Sequence, residues 1–121
     1  MQIFINLSNH SSDKWGAAQL KAAEVYGSIA DLPFPQIDSK ADSLEIDGLV
    51  SKYLDIILEK EAAAIMLQGE FVFTYRLVKA LKEHGIKVLS ACSERKVIEH
   101  TDNEGRTQRE SIFEFVQFRE Y

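Results

Sequence analysis

Short apolar runs alternate along this chain with longer stretches whose apolar residues recur every three to four positions, and each change of period marks a new element. Residues 2–7 read as a first strand, apolar on both faces and therefore suited to cover on two sides. Residues 13–26 read as a helix with Trp15, Ala18, Ala22, Val25 and Tyr26 on one face, Ser11 or Ser12 as its N-cap and Gly27 at its end. A short second strand, residues 29–32, runs into Pro33 and Pro35, which have no N–H to donate to a sheet. Asp42 and Glu45 stand at capping-box spacing ahead of Ile46, Leu49, Val50, Tyr53, Ile56 and Ile57, which predicts a second helix. Residues 62–67 read as a buried third strand, because the turn pair Gln68-Gly69 and a new helical pattern follow. That third helix turns Phe71, Thr74, Tyr75, Val78 and Leu81 inward, carries Lys79, Lys82 and His84 near its negative end, and stops at Gly85. Residues 86–89 form a fourth strand. The extended segments 95–100 and 106–119 then flank Asp102-Asn103-Glu104-Gly105 as a hairpin. The second arm of the hairpin is apolar on both faces and should be covered by helices or by another subunit.

Strands alternating with helices define an α/β fold: a Rossmann-like, mainly parallel sheet flanked by helices, with a C-terminal antiparallel β-hairpin over about residues 95–119. The 121 residues suffice for one domain, residues 1–121, and 45% hydrophobic with 27% charged residues is a globular composition. A net charge of −5 offers no field for duplex nucleic acid, although helix N-termini with a few local cations still suit a small anion. No apolar run is long enough for a bilayer and no signal core follows the first residues, so no membrane partner and a cytoplasmic location are expected. The one cysteine, Cys92, cannot form an internal disulfide and reads as a buried thiol. His10, His84 and His100 lack metal-ligand spacing, so neither a metal nor a cofactor is expected.

The informative residues lie where the strands end. In an open α/β sheet the ligand crevice lies beyond the carboxyl ends of the strands, where strand order reverses. Asn6 to Ser12 offers two carboxamides, one imidazole and three hydroxyls directly after the first strand. Such a run is equally an Asn- and Ser-rich turn. Its position favours a site, in which backbone amides near Asp13 and Lys14, with the lysine itself, hold a phosphate while Asn9 or His10 reaches a sugar hydroxyl. After the third strand, Gln68 can read a base or ribose edge, Gly69 admits a close backbone approach, and Glu70 can serve as base, cap or metal ligand. Phe71 and Thr74 continue that turn into the helix. After the fourth strand, Ser93 and Arg95 are candidate phosphate ligands, with Glu94, Glu99 and Glu110 as alternative partners for the guanidinium. Walker, dinucleotide, zinc and serine-elbow patterns are all missing, which argues against an ATPase, an NAD enzyme and a serine hydrolase.

Asn6-Leu7-Ser8-Asn9-His10, Gln68-Gly69-Glu70-Phe71 with Thr74, and Ser93-Glu94-Arg95, on a small sheet continued by a hairpin, resemble the CRISPR-associated Rossmann fold (CARF) proteins. Within these, the chain is similar to the small stand-alone ring nucleases. The resemblance implies a homodimer whose two crevices form one symmetric pocket for a cyclic oligoadenylate, tetra- or hexa-adenylate, cleaved without a metal to a 2′,3′-cyclic phosphate. It implies Asn9, His10, Ser11 and Glu70 as catalytic groups. Ser8, Ser12, Lys14, Gln68, Gly69, Phe71, Thr74, Ser93 and Arg95 are implied to bind the ligand. A non-catalytic nucleotide-sensing module, and a nucleoside-processing enzyme with Glu70 as nucleophile, are the competing expectations.

Overall fold

The computed structural model describes residues 2–121 and is α/β, with three helices on a mixed five-stranded sheet. The elements are β1 (Ile3–Leu7), α1 (Ala17–Glu24), β2 (Ser28–Asp31), α2 (Ser43–Lys60), β3 (Ala64–Leu67), α3 (Phe71–Glu83), β4 (Lys87–Thr101) and β5 (Thr107–Glu120). Strand order is β2-β1-β3-β4-β5; the first three pairings are parallel and β4–β5 is antiparallel. The chain moves outward from β1 to β2, then crosses back over β1 to β3, so the order reverses at the β1–β3 boundary.

The period of two within each strand sorts the core into two layers. Ile5, Leu7, Ile65, Leu67 and Val88 face α2 and α3, meeting Ile46, Val50 and Ile57 from α2 and Phe73, Leu77 and Leu81 from α3. Phe4, Ala64, Met66 and Leu89 face α1, with Ala23, Trp15 and Phe118 packed on them. Phe73 is fully buried, with Phe34 and Tyr53 edge-on at 5.3 and 5.5 Å. The expected capping box starts α2, where Asp42 accepts from the Glu45 N–H at 2.9 Å.

Several expectations change. The first helix begins at Ala17: Ser12–Lys14 form one 3-10 turn, and Trp15 is extended (φ −76, ψ 145) so that its ring reaches Phe4 at 6.3 Å. Gly16, and neither serine, is the N-cap of α1, and Val25 lies past the helix end, 82% exposed. The buried strand β3 starts at Ala64, two residues later than expected. Phe71 and Tyr75 do not face inward; they are 89% and 70% exposed, because Phe73, Thr74, Leu77 and Leu81 form the stripe that meets the sheet.

The largest difference concerns the fourth strand, which does not stop at Leu89. It continues to Thr101, and β5 pairs with it from Thr107 to Glu120, so the hairpin is an extension of two core strands. A register shift between Cys92 and Ser93 leaves Val116 as an extra residue on β5 and marks where the core sheet ends. Beyond it the two arms form a ribbon whose β4 arm is exposed throughout, and among the described residues no helix covers it, one of the two covers the apolar pattern of β5 implied. Cys92 sits at this bulge, half-buried instead of fully buried. Gly105, at φ +81, makes the tight return, supported by Asp102 accepting from the Glu104 and Arg106 N–H groups at 2.9 Å.

Candidate functional site

Asn6 organises the loop after β1. It is 2% exposed, and its Nδ2 donates to Asp31 Oδ1 and to the His10 carbonyl, both at 2.8 Å, while its Oδ1 accepts from Ser8 Oγ at 2.8 Å. Asp31, its neighbour in the β1–β2 register, also accepts from the Ser12 N–H at 3.1 Å, from Ser12 Oγ at 2.9 Å and from Ser11 Oγ at 3.3 Å. Partial burial pushes the Asp31 carboxyl up, but the bonds from Asn6, Ser12 and Ser11 outweigh it and hold the group below the usual carboxylate value. The hydroxyls of Ser8, Ser11 and Ser12, expected to serve a ligand, are therefore engaged in shaping the turn. Asn6 was expected only as part of the polar run, with no role of its own, and Asp31 was not expected at all. The available signal was register: two parallel strands that both end in a polar residue place those residues side by side.

A cavity of about 730 Å³ opens beyond the carboxyl ends of β1 and β3 and beside the middle of β4, at the point of strand reversal. One wall is the loop from Ser8 to His10; another is Lys14 and the start of α1; the base of the ribbon, with Ser93, Phe113 and Phe115, closes the third. The start of α1 has no side-chain cap, and its first intrahelical bond runs from the Leu20 N–H to the Gly16 carbonyl at 3.1 Å. The N–H groups of Ala17, Ala18 and Gln19 thus have no partner within the helix, and all three residues border the cavity. The open amides stand further along the chain than the expected ones, since the 3-10 turn uses the N–H groups of Lys14 and Trp15 on Ser11 and Ser12.

Gln68 fixes the floor. Its Oε1 accepts from the Ala91 N–H at 2.6 Å, tying β3 to β4 where the sheet begins to open. Its Nε2, like the side chains of Asn9, His10, Lys14 and Ser93, has no hydrogen-bond or ion-pair partner among the described residues, so five polar groups face the cavity with free capacity. Glu114 also borders it, but its carboxylate is paired with Lys96 at 2.9 Å.

The structure thus brings together Ser8, Asn9, His10, Lys14, Gln68, Gly69 and Ser93, and leaves other expected residues outside the cavity lining. Glu70 caps α3, accepting from the Phe73 N–H at 2.6 Å. Phe71 projects outward from the same turn. Thr74 is buried in α3 with its hydroxyl unpartnered among the described residues. Ser11 borders a separate 330 Å³ recess with Asp31 and Phe34, and Ser12 lines neither. Arg95 is a ribbon residue whose guanidinium donates to Ser111 Oγ at 2.9 Å, not to Glu94, Glu99 or Glu110. Gly69 is bare for a reason internal to the fold: a Cβ there would lie 2.2 Å from the Phe34 ring. Among the described residues, no three His, Cys, Asp or Glu side chains gather as a metal-binding group, and no helix is long and apolar enough to cross a membrane.

Residues 2–119 match the family described as the uncharacterized protein MJ1673 family, and the chain belongs to it. No curated protein matches the chain.

Proposed function

We propose that this member of the MJ1673 family binds a cyclic oligoadenylate at the strand-end cavity and opens the ring, its sheet being a Rossmann-like one that works as a homodimer. The observation that carries this reading is the meeting of Lys14, unpaired among the described residues, and the open amides of α1 with His10, Asn9 and the Gln68 amide, on one cavity. A cation beside a helix N-terminus suits a phosphate, and the amide and imidazole suit the base and ribose attached to it. A cavity of about 730 Å³ on each chain leaves a ring of four or six nucleotides to span two copies, and a two-fold axis matches the symmetry of such a ring.

The chemistry asked of the site is a transesterification. The ribose 2′-oxygen attacks the adjacent phosphorus and loses its proton to His10; the bond from phosphorus to the 5′-oxygen breaks, and that oxygen takes up a proton. The products are a 2′,3′-cyclic phosphate and a 5′-hydroxyl, with no water consumed. Lys14 and the α1 amides hold the non-bridging oxygens, where charge accumulates in the transition state. Asn9 orients the ribose, and the chain's main contribution is alignment of the attacking oxygen.

Labelled cyclic tetra- and hexa-adenylate incubated with the purified protein in EDTA test this directly. The expected result is linear product ending in 2′,3′-cyclic phosphate, lost in His10→Ala and bound at least tenfold more weakly by Lys14→Ala. Glu70→Gln should turn over normally, since that carboxylate caps α3; loss of activity there with an unchanged melting temperature would restore Glu70 to the chemistry. Binding without product would make the chain a sensing module, and no binding would remove both readings.

A further inference from the structure

The ribbon wall of the cavity carries a residue that neither the fold nor the turn network uses. Phe113 is 73% exposed although it borders a cavity, and water at an aromatic face that size is costly. Its neighbour two residues on, Phe115, points to the same side of the ribbon but is committed: its ring meets Phe118 edge-on at 4.9 Å, and Phe118 packs on Phe4 at 5.3 Å. Phe113 has no ring partner among the described residues. Antiparallel pairing sets it directly opposite Arg95, so the two side chains share one face of the ribbon, with Phe113 lining the cavity and Arg95 just outside that lining. Arg95 is held there by Ser111 and has no carboxylate partner among the described residues. Across the cavity stand Lys14 and the open end of α1.

We infer that Phe113 is a stacking platform for a purine or other planar heteroaromatic base, with Arg95 beside it for the phosphate that follows that base. The ligand lies with its phosphate toward α1 and its base against the ribbon. Unpaired bases are held in this way on aromatic side chains, with arginine adding a cation–π and phosphate contact. This inference deepens the proposed function by naming the base-recognition group of that same cavity. It stands for any base-bearing phosphate, whether or not a ring is cleaved.

The test compares adenosine 5′-monophosphate, the linear dinucleotide ApA, a cyclic tetra-adenylate and ribose 5-phosphate on wild type, Phe113→Ala, Phe113→Trp and Arg95→Ala, by calorimetry. Phe113→Ala should weaken the base-bearing ligands by roughly 5- to 150-fold, the equivalent of one base–aromatic stack of ~1–3 kcal/mol. It should leave ribose 5-phosphate unchanged, and Phe113→Trp should restore the loss. Arg95→Ala should weaken ApA and the cyclic tetra-adenylate, which carry a phosphate after a base, more than adenosine 5′-monophosphate and ribose 5-phosphate. Equal affinity of wild type and Phe113→Ala, or no binding of any base-bearing ligand to wild type, would overturn the inference. So would a loss in Phe113→Ala that tracks a fall in oligomeric mass by light scattering, which would assign the ring to a subunit contact. If monophosphate binding depends on Phe113 while cyclic tetra-adenylate is neither bound nor cut, the platform stands and the ring-opening reading fails.

Discussion

From Lys87 to Leu89, β4 pairs with β3, and from Leu89 to Ala91 with the end of β5, with Val88 and Leu89 almost fully buried, one in each layer. From Ser93 to Thr101 the same strand is exposed at every residue, with only β5 beside it. Both halves have the extended backbone; the core half pairs parallel with β3, the ribbon half only antiparallel with β5. What differs as well is side-chain burial, and with it the source of stability. In the core half a substitution removes packed atoms; in the ribbon half it removes a cross-strand pair of roughly 0.2–1 kcal/mol in water. A two-stranded ribbon alone is marginal, so this one depends on its root, where Phe115, Phe118, Trp15 and Phe4 form a chain of rings into the α1 layer.

That contrast can be broken by measurement. The steepest loss is expected in the core: Phe73→Ala empties a site between Phe34 and Tyr53 and should cost about 3–5 kcal/mol in denaturant unfolding. Next comes Gly69→Val, which drives a branched side chain into the Phe34 ring and should cost about 1–3 kcal/mol; an unchanged midpoint would show that Phe34 gives way freely. Asp31 sets a pH dependence with a definite sign. Its carboxyl titrates lower when folded than when unfolded, so its contribution is complete above the unfolded value and declines as pH falls through the folded one. Asp31→Asn should flatten that acid limb, and an identical limb in the variant would mean other carboxylates carry it. The smallest effect belongs to the ribbon. Arg109→Ala breaks the exposed pair with Glu99 and should shift stability by about 0–1 kcal/mol, less at high salt. Hydrogen exchange tests the contrast as a whole: amides of residues 93–101 should exchange orders of magnitude faster than those of β1 and β3. Equal protection would mean the ribbon is covered in solution.

Legibility followed the same division. The core strands, α2 with its capping box, and α3 with its glycine stop were readable because each carries its own period and its own end signal. The face of α3 was misjudged at Phe71 and Tyr75, because periodicity marks apolar positions without saying which of two overlapping stripes meets the sheet. Extension of β4 through Ser90 to Arg95 was hidden by polar residues that, in a two-stranded ribbon, have no need to be apolar. At the site, Asn9, His10, Lys14, Gln68 and Ser93 were readable as polar residues at strand ends. Phe113 was not, since an aromatic residue in an apolar strand reads as core until its neighbours are known.

Local chemistry along the chain determined the order of elements, the carboxyl-end location of the polar loops, and most of the cavity's free polar groups. These follow from side-chain period, capping and turn residues, all of which act over a few positions. Only the tertiary structure decided which of those groups remain free. Asn6 and Asp31 meet through strand register and occupy Ser8, Ser11 and Ser12; Glu70 is taken by the helix it starts; and Phe113 faces the cavity because the strand that carries it folds back as a ribbon. A donor's availability depends on partners distant in sequence, and those are set by packing.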